Sequence, residues 1–219
     1  MEGPMEGPME GPMQAHVKVA VFYHSETEQL CRLALAAADG ALDAGGEVRV
    51  RRIGRRVPVA RVSSPAASIP LLRVGGRSLE AGPADLEWAD VALFGTATPY
   101  GVRVDPLMRF IDATVPLWLA GRLAEKVYGA FTAAAAVHGG PSRRLVSLTD
   151  VFHHWGGMIV PLGGRDPIGP RSGEGDGTPP AARGAPFETE IAVARSQGRR
   201  ATEAARALKA GHRLLADVA

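Results

Sequence analysis

The segment after the first apolar run, His16–Tyr23, carries side chains that can bind an anion. It reads Ser25-Glu-Thr-Glu28 and precedes apolar residues at helical spacing, so it lies at the start of a helix. The unpaired N–H groups and the dipole of a helix N-terminus bind phosphate. The same residues match a capping box, S-x-x-E, in which the side chains of Ser25 and Glu28 satisfy the first N–H groups of the helix. The carboxylate of Glu28 would also repel a dianion. An anion site and a self-capped helix are both compatible with this pattern.

Three further features can contribute to a binding site: an aromatic side chain, a pair of glycines and an imidazole. Tyr100, in the run Gly95–Gly101, can stack on an aromatic ligand or serve as the core residue of a rigid turn. Gly139 and Gly140 permit close approach of a ligand to the backbone. His154 can donate a hydrogen bond to a substrate oxygen, or it is a structural residue. Tyr100 and His154 therefore each have a functional and a structural interpretation.

Composition excludes several classes of protein. The chain has 219 residues, of which 46% are hydrophobic and 22% charged, as in a soluble domain. No apolar run reaches the ~18 residues of a membrane helix. The single cysteine, Cys31, predicts a packing residue and a reducing cytoplasm. The acidic residues between Asp166 and Asp176 lack metal-ligand spacing, and the chain has no nucleophile elbow or Walker loop.

The basic residues give only a weak case for nucleic acid, because the net charge is +2. Six arginines lie between Arg49 and Arg61. Arg49 and Arg51 alternate with Val48 and Val50 in a predicted edge strand, where charged side chains discourage edge pairing. We therefore interpret them as a solvated strand edge; the alternative is a phosphate or nucleic-acid patch.

Five apolar strands alternate with helices. The strands are predicted at His16–Tyr23, Glu47–Ile53, Val91–Phe94, Val127–Ala136 and Met158–Leu162. Helices are predicted at Leu30–Leu42, near Pro106–Thr114, around Leu145–Phe152 and from Glu188 onward. The last helix has an apolar stripe through Ala194, Ala201, Ala205, Leu208 and Leu215. Residues 54–84 are expected to be mostly loop, Asp85–Trp88 an acidic turn and Gly163–Phe187 a long loop.

This alternation predicts an α/β domain, a doubly wound five-stranded parallel sheet of order 2-1-3-4-5 with helices on both faces. Ligands of such sheets bind outside the carboxyl ends of the strands, here near His24, Thr96, Ala136 and Gly163. The candidate segments, including His153–Leu162, are predicted at this edge. Three MEGP repeats open the chain, so residues 1–14 are predicted to be a disordered tail and 15–219 the domain.

Several motifs occur in an order that resembles the WrbA-type NAD(P)H:quinone oxidoreductases, a flavodoxin-like, FMN-binding family. The matching runs are Asp85–Asp90, Phe110–Asp112 with Leu117-Trp118, His138–Gly140, His154–Gly163 and Ala194–Gly198. The resemblance extends from about Val17 to Leu208. It implies a flavodoxin-like fold, a bound FMN, and hydride transfer from NAD(P)H to a quinone or related aromatic acceptor.

The resemblance also implies which residues hold the cofactor. Residues of the first loop would cradle the FMN phosphate, namely Ser25, Glu26, Thr27, Glu28, Gln29 and Leu30. Residues of the second and third loops would contact the ring, namely Thr98, Pro99, Tyr100, Ala133, Ala134, Ala135, Ala136, Gly139 and Gly140. His154 is the implied catalytic residue, often acting across a subunit boundary, and Trp118 with Tyr100 borders the substrate. The family assembles as dimers of dimers, so a homodimer or homotetramer is expected.

Some positions depart from the family pattern. Glu28 and Leu30 stand where the family has glycine or small polar residues, Pro99 where it often has arginine and Val102 where it often has asparagine. Ala133–Ala136 replaces a run richer in serine, threonine and glycine. These departures favour a second hypothesis, a flavin-free relative whose pocket serves an aromatic metabolite, other chemistry at His154 or a protein partner. A DNA-associated regulator, based on the arginines alone, is a weaker third hypothesis.

Overall fold

A computed structural model describes residues 16–24, 28–54, 80–96, 105–132, 141–161 and 187–216, with the backbone alone at 28, 141–147 and 187–189. Five strands form one sheet: β1 Val17–His24, β2 Gly46–Arg52, β3 Val91–Thr96, β4 Val127–Phe131 and β5 Met158–Ile159. Every pairing is parallel, and the order is β2-β1-β3-β4-β5. This confirms the predicted doubly wound sheet and its strand order.

Within the described residues, six helices accompany the sheet: α1 Glu28–Asp43, α2 Pro83–Trp88, α3 Asp105–Ala113, α4 Val115–Leu119, α5 Pro141–His154 and α6 Phe187–Ala216. Two of them correct the sequence prediction. The expected acidic turn is helix α2, with proline in its first turn and Asp85 Oδ2 accepting a hydrogen bond from Gly82 N. A short second helix, α4, follows α3. No helix within the described ranges combines the length and apolar character needed to cross a membrane.

The fifth strand is shorter than predicted, ending at Ile159 instead of Leu162. The Gln197 side chain of α6 provides the physical reason. Its Nε2 donates to the carbonyl oxygens of Ala130, at 3.2 Å, and Val160, at 3.4 Å, so it bridges the two strands where their ladder ends. The fourth strand likewise ends at Phe131, and the predicted continuation through Ala133–Ala136 lies outside the described residues.

Side chains of the central strands alternate between two cores. Val91 and Leu93 of β3 pack with α1 and α6, whereas Ala92 and Phe94 pack with α2, α3 and α5. All six residues of β3 are buried. Helices therefore cover both faces of the sheet in the described part of the chain, and the strand ends are the positions where a ligand site is expected.

Helices α1 and α6 approach each other closely through two glycines. A Cβ on Gly198 would lie 1.9 Å from the Ala37 carbonyl oxygen, and one on Gly40 would lie 1.8 Å from the Arg195 carbonyl oxygen. These positions therefore exclude any larger side chain.

The predicted apolar stripe of α6 is correct for Ala194, Ala201 and Ala205, which are buried. It is wrong for Leu215, which is 71% exposed. Lys209 Nζ donates to the carbonyl oxygen of His16, the residue just before β1, so Lys209 lies level with the start of the sheet. The turns of α6 that follow Lys209 therefore project beyond the sheet.

Strand β2 is an edge strand as predicted, but its arginines are not a solvated row. Arg49 and Arg51 both contact Asp85 of α2, at 3.3 and 2.9 Å, and the Arg51 side chain is only 12% exposed. The Arg49 guanidinium also lies 3.8 Å from the centroid of the Trp88 ring. Helix α2 thus supplies a carboxylate and an aromatic face to these arginines, which sequence spacing did not indicate.

Candidate active site

The carboxyl ends of three neighbouring strands form one edge of the molecule, here called the carboxyl edge. His24 at the end of β1 pairs in register with Thr96 at the end of β3. Gly95 pairs with Phe131 in the next ladder, so Thr132 lies beside Thr96 at the following position. Helix α1 begins at the same edge, four residues after β1 ends. The fold therefore places a helix N-terminus beside three strand ends, as the sequence predicted.

Two threonine hydroxyls are buried at the carboxyl edge without a partner. Thr96 is 3% exposed, and the Oγ1 atoms of Thr96 and Thr132 are buried and make no hydrogen bond to any part of the chain described. Thr114 and Thr202, which are fully buried elsewhere, donate to backbone carbonyls three and four residues earlier, at 2.7 and 2.9 Å. Among these four described threonines, the two hydroxyls without a partner are therefore the ones at the strand ends.

His24 ties the end of β1 to the end of β2. Its Nδ1 lies 2.8 Å from the Ile53 carbonyl oxygen, an acceptor, so Nδ1 carries the hydrogen. Gly54 follows with φ of 87°, and a Cβ there would lie 2.9 Å from the Pro106 Cβ, so glycine is required by both conformation and space. These contacts fix the side of the carboxyl edge next to β2.

A cavity of 380 Å³ opens beside this turn, between the end of β2 and helices α2 and α3. Its lining includes Ile53, Pro106 and Phe110, together with the charged residues Glu80 and Arg109. Sequence reasoning missed this cavity, because residues from three separate segments form it. The Gly54 turn was its only local signal.

Among the first-loop residues, only the start of α1 is described. Gln29 Nε2 donates to Glu190 Oε2 at 3.2 Å and so ties the N-terminus of α1 to α6. Burial raises the pKa of Glu190, and the Gln29 hydrogen bond opposes that shift. Leu30 is fully buried in the core, so only its main chain is available to a ligand. Glu28 is the first residue of α1, and its side chain, with the proposed cap, lies outside the description.

The other predicted cofactor residues lie outside the residues that the structure describes. They are Ser25, Glu26, Thr27, Thr98, Pro99, Tyr100, Ala133, Ala134, Ala135, Ala136, Gly139 and Gly140. In the chain, their segments follow β1, β3 and β4.

The structure brings together the predicted catalytic histidine and the predicted substrate residue Trp118. Trp118 Nε1 donates to the His154 carbonyl oxygen at 2.8 Å. Trp118 is 44% exposed, and His154, the last residue of α5, is exposed as well. The indole thus holds the end of the helix that carries His154 while both rings remain accessible. This contact was not predicted.

This histidine–tryptophan pair lies at the opposite end of the sheet from the prediction. Gly156 accepts a hydrogen bond from Glu125 N at 3.1 Å, and Met158 pairs with Val127, the first residue of β4. The segment that carries His154 precedes β5, so it lies at the amino ends of the strands, here called the amino edge. At ~3.3 Å per residue, the length of β4 and its flanks separates the two edges by roughly 20 Å.

Exposed apolar side chains lie on the helix that carries Trp118 and at the start of β5, four residues after His154; together they are here called the α4 patch. Helix α4 reads Val115-Pro-Leu-Trp-Leu119 and has no buried residue. The exposed fractions are 42% for Val115, 44% for Trp118, 75% for Leu119 and 52% for the neighbouring edge-strand residue Met158. Large apolar side chains grouped in this way mark interaction surfaces.

Comparison with solved structures places the fold. A WrbA-like flavodoxin protein from Agrobacterium tumefaciens has a TM-score of 0.57 and 26% sequence identity, covering 87% of this chain and 98% of that one. A diflavin flavoprotein from Nostoc has a TM-score of 0.50 at 17% identity, which supports the fold alone. The chain is therefore flavodoxin-like, as the sequence predicted.

Sequence comparison extends this likeness. No family model matches the chain. A protein named NAD(P)H dehydrogenase (quinone) from Methylocella silvestris is 36% identical over 201 residues, which are 88% of this chain and 98% of that protein. Proteins of the same name from Deinococcus radiodurans and Archaeoglobus fulgidus are 34% and 35% identical over 86% and 87% of this chain. The chain accordingly belongs to the NAD(P)H dehydrogenase (quinone) family.

Proposed function

We propose that this protein is an FMN-dependent oxidoreductase that transfers hydride from NAD(P)H to a quinone or a related aromatic acceptor. The observation that carries the proposal is the similarity to quinone dehydrogenases, which spans 86–88% of this chain and 96–98% of theirs. The family relationship gives the reaction class, and the carboxyl edge supplies a place for the cofactor.

The groups at the carboxyl edge fit FMN. A helix N-terminus that directly follows a strand presents N–H groups to a phosphate, and α1 stands in this relation to β1. The buried Thr96 hydroxyl, which has no partner in the ranges described, can meet a polar atom of a bound ligand. We assign the phosphate to the first loop, through the N–H groups of residues 25–30 and the hydroxyls of Ser25 and Thr27.

The ring would lie on the second and third loops. Tyr100 would give an aromatic surface beside Thr98 and Pro99, and Ala133–Ala136 with Gly139 and Gly140 would offer main-chain N–H groups without side-chain bulk. When bound, FMN supplies hydride acceptance from NAD(P)H and two-electron transfer to the acceptor. The protein's own contribution is to orient the ring and to exclude water from it.

His154 would act on the acceptor. Its imidazolium can donate a proton to a quinone oxygen as that oxygen gains charge, and the Trp118 indole can border the same molecule. Both residues lie at the amino edge, roughly 20 Å from the carboxyl edge of the same chain. A single protomer therefore has the two halves of the site at opposite ends of its sheet.

We accordingly assign the active site to an interface between two copies of this chain. The His154–Trp118 pair of one copy would face the carboxyl edge of the other, as either a homodimer or a homotetramer. The α4 patch supports this arrangement, because it carries exposed apolar side chains that contact between copies would cover.

A flavin titration with a turnover assay tests the proposal. We expect the purified protein to quench FMN fluorescence with micromolar affinity. Once loaded with FMN, it should oxidise NADH or NADPH, followed by the absorbance at 340 nm, only when a quinone is present. A protein that stays colourless and leaves FMN fluorescence unchanged at millimolar concentration would refute the proposal. That result would favour the flavin-free alternative instead.

A further inference from the structure

We propose that Thr96 and Thr132 together form a hydroxyl pair that contacts the ring and ribityl part of bound flavin and takes no part in holding its phosphate. The inference rests on the proposed function and adds to it two residues that no sequence motif had indicated. Both hydroxyls are buried at the carboxyl edge, and neither has a hydrogen-bond partner in the described parts of the chain.

The two residues are neighbours. Gly95 of β3 pairs with Phe131 of β4, and Thr96 and Thr132 occupy the next position of the same parallel register. Adjacent strands lie ~4.8 Å apart, so the two hydroxyls can contact one small ligand at the same time. This juxtaposition distinguishes them from buried polar atoms that are scattered through a core.

The strand alternation decides which part of the flavin they face. In β3, Val91 and Leu93 point toward α1, whereas Ala92 and Phe94 point toward the opposite face. Thr96 continues the second set, and Thr132 continues the set that contains Ala130 of β4. The hydroxyl pair therefore lies on the sheet face away from α1, whose N-terminus is the proposed phosphate site.

A buried hydroxyl without a hydrogen-bond partner destabilises the ligand-free protein, because its desolvation is not compensated. Valine would fill the same space without that cost. Thr202 shows the ordinary arrangement: it is fully buried, and its Oγ1 donates to the Gly198 carbonyl at 2.9 Å. A hydroxyl both donates and accepts, and flavin offers ring carbonyls, ring nitrogens and ribityl hydroxyls. Such a ligand would satisfy both threonines at once.

The experiment compares Thr96→Val, Thr132→Val and the double variant with the wild-type protein. It measures Tm without flavin and Kd for FMN and for riboflavin by fluorescence quenching. We expect Tm to be unchanged or higher in each variant, because a methyl group replaces a hydroxyl without a partner. We expect each single substitution to raise Kd about fivefold, by the same factor for FMN and riboflavin, and the double substitution to raise it further.

Thr202→Val is the matched control. It removes a buried hydroxyl that has a partner, so we expect a lower Tm and an unchanged Kd. An unchanged Kd in both carboxyl-edge variants, or a Tm loss equal to that of Thr202→Val, would overturn the role of the hydroxyl pair. A Kd that rises for FMN alone would also overturn it, since the contact would then be to the phosphate. Wild-type protein that binds neither flavin would refute the proposed function along with this inference.

Discussion

The carboxyl edge and the amino edge of this sheet differ in how they present their functional groups. At the carboxyl edge, the hydroxyls of Thr96 and Thr132 are buried and lack hydrogen-bond partners within the ranges described. At the amino edge, His154 and Trp118 are exposed and bonded to each other, among apolar side chains that the same protomer leaves uncovered. In the proposed active site, the carboxyl edge would hold the cofactor, and the amino edge of a second copy would complete the site.

A charge placed in the α4 patch gives the sharpest test of this comparison. Leu119→Glu puts a carboxylate on a side chain that is 75% exposed in the single chain, and the proposed contact would bury it. We expect the variant to be monomeric by light scattering and to lose more than the ~100-fold in kcat that removal of a proton donor costs. Its Kd for FMN should rise far less, because the carboxyl edge is untouched.

Leu215→Glu is the matched control for that variant. Leu215 is 71% exposed, near the end of α6 and outside the α4 patch. It should leave the mass and the turnover unchanged. A Leu119→Glu protein that assembles and turns over like the wild type would show that the amino edge is not the interface.

His154→Ala separates the chemistry of the amino edge from assembly. We expect kcat for a quinone to fall ~100-fold, since proton donation by a positioned imidazole contributes at least that much. Assembly and the Kd for FMN should stay as in the wild type, because the side chain is exposed and the proposed cofactor contacts lie at the other edge. Stopped-flow measurement of flavin reduction and reoxidation would assign the defect to the oxidative half-reaction.

A mixture of two inactive variants tests the shared site. In the proposed site, Tyr100→Ala would damage the cofactor half and His154→Ala the acceptor half, so a mixed dimer would retain one intact site. Random reassembly of a two-fold dimer should recover about a quarter of the wild-type activity. Activity that remains at the sum of the two separate variants would place both residues in one protomer.

The sequence was sufficient to predict the strands of the sheet, because burial and periodicity are properties of local segments. Strands buried on both faces read as continuous apolar runs, and right-handed crossovers left few possible orders. The short elements were missed for a related reason. Helix α2 has only six residues, and the five residues of α4 are all apolar. Neither helix therefore shows helical periodicity. The early end of β5 depends on Gln197, a residue distant in sequence.

The site was harder to predict because it depends on position relative to the sheet. His154 was identified by resemblance and assigned to the carboxyl ends, but it precedes β5 and therefore lies at the amino edge. Trp118 and His154 are 36 residues apart, and their contact has no local signal. The unmet hydroxyls of Thr96 and Thr132 follow from burial by neighbouring elements, which residue type alone does not show.

Trp118→Phe sharpens the amino-edge description by removing one hydrogen bond. The aromatic surface remains, but the donor to the His154 carbonyl is lost. We expect kcat to fall about fivefold, because an unanchored helix end lets the imidazole move, with KM nearly unchanged. Tm should change little, since both partners are exposed. A wild-type kcat in Trp118→Phe, with a loss of kcat only in Trp118→Ala, would contradict a positioning role for the N–H group.

The smallest expected effect concerns Glu28 at the carboxyl edge. Glu28 is the first residue of α1, and in the proposed site its carboxylate would compete with the phosphate for the helix N-terminus. Glu28→Gln removes the charge and keeps the length of the side chain, so we expect the Kd for FMN to fall about threefold while the Kd for riboflavin stays the same. The gain should also shrink as salt is added, because screening weakens the repulsion in the wild type. Equal Kd values for FMN in the two proteins at low salt would show that the carboxylate faces away from the phosphate, and the first loop would then bind it through N–H groups and hydroxyls without opposition.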